Sequence, residues 1–117
     1  MGFGFEKLDV YNKAVGFVNK IYTLTQDFPK KEIFGLTSQL RRAAVSISLN
    51  ISEGSARSKK DFLRFIDISR GSIFECVTIL QIALRQKYLD SKEFSDLEDE
   101  LIDLSKMLSG LKRSLSQ

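Results

Sequence analysis

The stretch QLRRAAVSISLNISEG, residues 39–54, decides the fold because it has a helical period but places unusual residues on every face. On a helical wheel drawn at 100° per residue from residue 36 onward, one face is an ordinary core stripe, made of Leu36, Leu40, Ala43, Ala44, Ile47, Ile51 and Gly54. A polar stripe lies beside it, made of Gln39, Arg42, Ser46, Asn50 and Glu53. The far side mixes apolar and basic residues, namely Arg41, Val45, Ser48, Leu49 and Ser52. A helix with apolar residues on opposite sides usually buries both, so the stretch predicts an oligomer whose subunit interface includes Val45 and Leu49.

Three further helices are predicted around this one, at about 5–28, 58–87 and from 90 or 91 onward, with the central helix at about 36–57. Pro29 ends the first helix. Ser58 with Asp61 resembles a capping box that begins the third, and Asp90 or Ser91 with Glu93 begins the fourth. The fourth helix carries the most regular seam, formed by Phe94, Leu97, Leu101, Leu104, Leu108, Leu111 and Leu115. No segment alternates apolar and polar residues over a length that would favour a β-strand, so the chain is predicted to be all-α. Because the connections are short, it is predicted to form one domain, 1–117, folded as an antiparallel up-down-up-down four-helix bundle.

The composition argues against most enzyme and metal chemistry. The chain has no histidine and a single cysteine, so zinc and iron-sulfur sites are not expected, and neither catalytic residues nor a cofactor are predicted. Cys76 lies in an apolar run and is expected to be a buried, inert thiol. The chain has no apolar stretch of about 20 residues and no leader pattern at its start, so a cytoplasmic protein without membrane contact is expected.

Charge is distributed unevenly along the chain. Residues 29–72 carry nine basic and four acidic side chains, a net of +5, whereas residues 73–117 carry six and eight, a net of −2. A basic middle and an acidic end fit either contacts between subunits or a surface facing a polyanion. The candidate nucleic-acid contacts are the basic residues near the turn between the second and third helices, with one from the second helix: Arg41, Arg57, Lys59, Lys60 and Arg64.

Several polar groups are predicted to lie beside the core. Glu53 and Glu75 are expected to pair with an arginine or with helix-end amides, because an unpaired buried carboxylate costs several kcal/mol. Gly71, next to Ser72, is expected to mark a close helix crossing. Gln39, Ser46 and Asn50, together with these two glutamates, are interpreted mainly as residues that fix packing.

Three segments together resemble the four-helix bundle proteins known as 23S rRNA intervening sequence proteins. They are FEKLDVYNKAV (5–15), FPKKEIFGLTSQLRRAAVSISLNISEG (28–54) and FLRFIDISRGSIFE (62–75). The resemblance covers essentially the whole chain, and the middle segment is its specific part. This family is similar in fold to the accessory variability determinant of diversity-generating retroelements, a basic pentameric barrel that binds a reverse transcriptase and nucleic acid.

The resemblance implies a homopentamer whose second helix provides much of the packing between subunits, and it implies no catalytic residue. The matching positions are Gln39, Arg41, Arg42, Ser46, Asn50, Glu53, Gly54, Gly71, Ser72 and Glu75. Two functions stay open at this point. The chain either associates with RNA or another nucleic acid through its basic residues, or forms a scaffold for a protein partner in which Arg41, Arg42 and the other charges serve assembly only.

Overall fold

The computed structural model describes residues 2–117 and contains four α-helices and, within that range, no strand. The helices are α1 (Asp9–Thr25), α2 (Leu36–Ser55), α3 (Lys59–Arg85) and α4 (Ser91–Ser116). Short 3-10 turns at Gly4–Lys7 and Lys30–Glu32 precede α1 and α2. The prediction of an all-α fold with four helices is confirmed. The first helix begins later than predicted, because Leu8 is extended and separates the first turn from α1.

Two helix starts follow the predicted capping residues. The Ser58 hydroxyl accepts a hydrogen bond from the Asp61 amide at 3.2 Å and begins α3. Asp90 begins α4 through a reciprocal capping box with Glu93, in which the two hydrogen bonds measure 2.7 and 2.9 Å. The Ser58 cap explains why a new helix begins directly after α2, and the Asp90 capping box does the same after α3.

The core lies among the apolar stripes of all four helices, with α2 packed between α1 and α3, and with α4 packed against α1 and α3. From α2, the predicted core stripe is buried except for Leu36, which is half-buried. The central leucines of the α4 seam are buried, and Phe94, Leu111 and Leu115 are half-buried at its ends. Ser48, predicted on the far side of α2, is instead buried and donates a hydrogen bond to the Val45 carbonyl at 2.9 Å.

The close helix crossing occurs at Gly54 and not at Gly71. A Cβ atom at Gly54 would lie 2.6 Å from Cβ of Phe65 and 2.9 Å from Cδ1 of Phe62, so α2 and α3 can approach here only because the side chain is absent. At Gly71 a Cβ atom would have no neighbour within 4 Å. The expectation that Gly71 marks a crossing is therefore wrong within a single chain.

Two other expectations concern the cysteine and contact with a membrane. Cys76 is fully buried, as predicted, and burial raises the pKa of its thiol to about 12, with a smaller contribution from the nearby Glu75 carboxylate. Among residues 2–117, no helix combines the length and apolar character needed to cross a membrane.

Candidate functional site

The polar stripe of α2 forms a hydrogen-bonded connection to α3. The Asn50 amide donates to the Ser46 carbonyl at 2.8 Å and to the Ser46 hydroxyl at 3.0 Å. The Ser72 hydroxyl donates to the Ser46 hydroxyl at 2.9 Å, and Ser69 donates to the Ile47 carbonyl at 2.9 Å. The polar groups of Ser46 and Asn50 therefore have hydrogen-bond partners within α2 and on α3. These hydrogen bonds hold the two helices together, which is a structural role.

The two glutamates expected to lie beside the core lie on the surface instead. Glu53 and Glu75 are both exposed, and neither forms a salt bridge to any residue in 2–117. The predicted buried pairing is therefore wrong, because both side chains extend to the outer surface of the α2–α3 pair instead of toward the core. Gln39 is exposed as well. Glu75 borders a crevice of about 260 Å³ between α2 and α3 that Gln39 and Arg42 also line.

A larger groove, here called the α2 groove, follows the outer side of α2 and has a volume of about 560 Å³. It is lined by Tyr22, Ile33, Phe34, Ser38, Arg41, Arg42, Val45, Ser46 and Leu49. Leu49 is 55% exposed and Phe34 is 95% exposed. All the residues predicted to form a subunit interface lie in this groove, together with aromatic side chains from α1 and from the α1–α2 connection: Arg41, Arg42, Val45 and Leu49.

The α1–α2 connection that carries Phe34 is held by specific contacts. One carboxylate oxygen of Glu32 accepts the Leu36 amide at 3.2 Å, and the other accepts the Tyr88 hydroxyl at 2.9 Å. The Tyr88 ring also packs on Phe28, with 5.5 Å between ring centroids. The connection is thereby fastened to α2 and to the turn before α4, so the exposed Phe34 is presented from a braced segment.

The Glu32 contacts predict a pH-dependent contribution to stability. The hydrogen bond from the Leu36 amide, followed by that from Tyr88, lowers the pKa of Glu32 below its ordinary value of 4.5. A carboxyl group whose pKa is lowered by folding stabilises the fold above its unfolded pKa, and this stability is lost as the pH falls through the folded pKa. We expect Glu32→Gln to lower the melting temperature at neutral pH, and the difference from wild type to shrink as the pH drops below 4.5.

Thermal unfolding followed by circular dichroism across this pH range would measure the effect. Glu98→Gln is the matched control, because Glu98 forms no ion pair and no side-chain hydrogen bond within residues 2–117. A Glu32→Gln difference that stays constant from neutral to acidic pH would contradict the assignment.

The two arginines of the α2 groove differ in how firmly they are held. Arg41 donates from Nε to the Thr25 hydroxyl at 2.8 Å, and its guanidinium carbon lies 4.5 Å from the centroid of the Tyr22 ring. Arg42 is exposed and forms no salt bridge within the described residues. Arg41 is thus fixed against α1, while Arg42 is free to contact another molecule.

Four of the predicted nucleic-acid contacts do lie together, in what is here called the basic turn: Arg57, Lys59, Lys60 and Arg64, all exposed. The guanidinium carbons of Arg57 and Arg64 lie 5.5 and 5.7 Å from the centroid of the half-buried Phe65 ring. Asp61 is the nearby acid, 3.6 Å from Arg64. The fifth predicted contact, Arg41, is not part of this cluster, because it lies about 21 Å along α2 from Ser55, where the helix ends before the basic turn.

Two features were missed by the sequence reasoning. Ile33 and Phe34 enlarge the α2 groove, and an apolar pair within the polar connection KKEIFG was the signal that could have found them. On α3 and α4, Asp67 lies between Lys112 at 2.8 Å and Arg70 at 3.6 Å. These two cations and Arg113 line a depression between the two helices. These cations come from distant positions, so no local spacing in the sequence indicates them.

A metal-binding cluster is not found among the described residues. In the range 2–117 no three side chains of histidine, cysteine, aspartate or glutamate come together in a way that could hold a metal ion. Glu32, whose pKa is lowered, is engaged in bracing the α1–α2 connection. The distinctive surfaces are therefore the α2 groove and the basic turn.

Comparison with known proteins agrees with this fold. A crystal structure of a protein with unknown function from the S23 ribosomal protein family of Bacteroides thetaiotaomicron VPI-5482 is similar, with a TM-score of 0.82 at 22% sequence identity. The alignment covers 89% of this chain and 95% of that one, and at this identity it establishes the fold alone. No curated protein matches the chain significantly. The model of the family described as 23S rRNA-intervening sequence protein matches residues 6–110, and the chain therefore belongs to that family.

Proposed function

We propose that this protein is a non-enzymatic homo-oligomer, pentameric, of antiparallel up-down-up-down four-helix bundles, and that it associates with RNA through its basic turns. The observation that carries the proposal is the pairing of two surfaces on α2: an unpartnered apolar groove along its outer side and a cluster of cations at its end. The groove provides assembly, and assembly presents several copies of the basic turn to one RNA molecule.

The assembly part is supported by the apolar groups in the α2 groove. Phe34, Leu49 and Ile33 are exposed in a single chain and line the same groove. Contiguous exposed apolar patches of this kind mark protein contact surfaces on otherwise monomeric proteins. The pentameric number is what the sequence resemblance to the 23S rRNA intervening sequence proteins implies, through the similarity in fold between that family and the accessory variability determinant, and it remains part of the proposal.

The RNA part is supported by the composition of the basic turn. Four cations lie within eight residues, from Arg57 to Arg64, with Asp61 as the acid among them. Phosphate binding requires closely spaced cations of this kind, and each contact releases counterions from the nucleic acid. The name of the family refers to 23S rRNA, which makes structured RNA the first ligand to test.

Replacing Arg57 and Lys60 by alanine is expected to weaken RNA binding and its salt dependence. Removing two phosphate contacts should lower the slope of log K against log salt by about 1 to 2, because each neutralised phosphate contributes a slope of about 0.7 to 0.9. Fluorescence anisotropy titrations of a labelled RNA hairpin at several salt concentrations would measure both quantities.

The matched control is Lys30→Ala with Lys31→Ala, which removes the same charge from the turn before α2 and leaves the basic turn intact. We expect this control to bind RNA with nearly the wild-type salt slope. If both double variants lose affinity equally, binding depends on net charge alone. If neither loses affinity, the basic turn does not bind RNA.

A second candidate function is a scaffold that binds a protein partner, with the charged residues serving assembly only. It is favoured by Phe34, because a braced aromatic side chain that is 95% exposed is typical of a protein contact. The two functions differ in their prediction for the titration above. The scaffold predicts negligible RNA affinity at physiological salt and retention of a protein partner by the assembled ring.

A further inference from the structure

The residues around Phe3 form an aromatic surface at the beginning of the described chain. The Phe3 side chain is 71% exposed, and its ring stacks on the Phe5 ring with 5.7 Å between the ring centroids and 10° between the ring planes. Phe5 in turn contacts the Tyr11 ring edge-on, with 4.9 Å between the centroids. Phe5 therefore supports the Phe3 ring, while most of that ring stays open to solvent.

Hydrogen bonds hold the short turn that carries these rings. The Glu6 amide donates to the Phe3 carbonyl at 3.1 Å, which closes the turn. The Asn12 side-chain amide, in the first part of α1, donates to the Glu6 carbonyl at 2.8 Å and to the Leu8 carbonyl at 3.2 Å. The turn is thereby attached to α1, so the Phe3 ring is presented from a braced segment.

An aromatic pocket of about 380 Å³ lies beside this turn. Within residues 2–117 no charged side chain lines it. Its volume falls within the range of small-ligand sites, about 300 to 1,000 Å³, so it is large enough for a nucleobase. The first turn contributes Phe3, Phe5 and Leu8 to its lining, and the end of α2 with the start of α3 contributes Ser55, Ala56 and Phe62.

The aromatic pocket adjoins the basic turn. Arg57 directly follows Ala56, which lines the pocket. Phe62, which also lines it, lies between Lys60 and Arg64 in the sequence. Proteins that bind single-stranded nucleic acid combine aromatic side chains with nearby cations, because bases stack on the rings while the cations contact the phosphates. The fold thus brings the aromatic part of such a site to the cations of the basic turn.

Other exposed phenylalanines lie in different surroundings. Phe74 is about 15 Å along α3 from Arg64. Phe34 lies in the α2 groove, whose lining includes two cations, and one of these, Arg41, is held against the Tyr22 ring. Within residues 2–117, Phe3 is therefore the exposed phenylalanine that lies beside the four cations of the basic turn.

We propose that the aromatic pocket receives an unpaired RNA base, stacked on the Phe3 ring, while the neighbouring phosphates contact the basic turn. The inference rests on the proposed RNA binding and specifies the RNA as a single-stranded loop or end. Bases within a duplex stack on one another, whereas the bases of loops and ends can be splayed out onto an aromatic side chain. Stacking on Phe3 adds to the phosphate contacts an interaction that salt does not screen.

Fluorescence of a Phe3→Trp variant would report on this stacking directly. The chain contains no tryptophan, so the variant has a single indole. We expect titration with a short oligoadenylate at low salt to quench the indole fluorescence, because the base stacks on the ring. The matched control is Phe74→Trp, which makes the same change at another exposed phenylalanine, 63% exposed and distant from the basic turn. Its fluorescence should stay nearly constant.

A Phe3→Ala variant removes the ring without removing a charge. We expect it to bind oligoadenylate roughly 5- to 100-fold more weakly, the loss typical of one stacked base, and Phe3→Trp to retain wild-type affinity. The slope of log K against log salt should stay unchanged, because no phosphate contact is lost. Affinity for a blunt-ended RNA duplex should not change. Because Phe3 is 71% exposed, both variants should keep the wild-type helicity measured by circular dichroism.

The results separate this inference from RNA binding itself. A wild-type protein that binds neither oligoadenylate nor the duplex would overturn RNA binding and base stacking together. A protein that binds the duplex alone, or whose Phe3→Ala variant binds both RNAs as the wild type does or loses affinity for both equally, would overturn only the stacking. Quenching at position 74 as strong as at position 3 would also overturn it, because the base would then have no preference for the aromatic pocket.

Discussion

Replacing both Val45 and Leu49 by glutamate is expected to convert the assembly into monomers that remain helical. The two side chains lie one turn apart in the α2 groove, Val45 half-buried and Leu49 exposed, and neither belongs to the core. A carboxylate buried at a subunit contact without a partner costs several kcal/mol, and each 1.4 kcal/mol corresponds to a tenfold change in affinity. The concentration needed for assembly should therefore rise by at least about a hundredfold, as measured by light scattering over a dilution series.

Two companion variants make this result specific. Arg41 and Arg42 line the same groove and could pair with the new glutamates, so Val45→Lys with Leu49→Lys excludes such pairing and should dissociate the assembly as well. Ser95→Glu with Ile102→Glu places two carboxylates on exposed positions of α4, with the same change in net charge, and should leave the assembly intact. Assembly that survives both substitutions at 45 and 49 would remove the α2 groove from the subunit contact.

The local features of the fold could be predicted because their signals are local. The caps at Ser58 and Asp90 depend on residues three positions apart, and the core stripe of α2 depends on one helical period. Both are therefore visible in the sequence, and the structure agrees with them. The first helix was predicted to begin at about residue 5, whereas the structure places Phe5 in a separate turn, against Tyr11, and α1 begins at Asp9 after the extended Leu8.

The surfaces were harder to predict because they depend on which helices are neighbours. Helical periodicity places Glu53 and Glu75 near the core stripes, but it does not give the angle at which α2 and α3 face each other, and both carboxylates lie outside. The same ambiguity affects the glycines. Gly54 and Gly71 both lie inside helices, and only the structure shows that Gly54 contacts Phe62 and Phe65 whereas Gly71 has open space beside it.

Replacing Gly54 by leucine is expected to cause the largest loss of stability of any single change discussed. The first added atom already lies 2.6 Å from Cβ of Phe65, an atom fixed to the backbone, so α2 must move away from α3. Overpacking of this kind typically costs about 1 to 3 kcal/mol, and the gain in helix propensity offsets about 1 kcal/mol. Because leucine extends well beyond Cβ, the cost should fall at the upper end and leave a net loss of about 2 kcal/mol.

The matched control is Gly16→Leu, which makes the same chemical change within α1 at a position with no neighbour within 4 Å. There the packing cost is absent and the helix-propensity gain remains, so this variant should be as stable as wild type or more stable by up to about 1 kcal/mol. Urea unfolding at one protein concentration would compare the three proteins, because assembly makes apparent stability depend on concentration. Equal stability of the two leucine variants would mean that the α2–α3 crossing at Gly54 is not as close as the structure has it, and the hydrogen bonds from Ser69 and Ser72 to α2 would then have to be reconsidered with it.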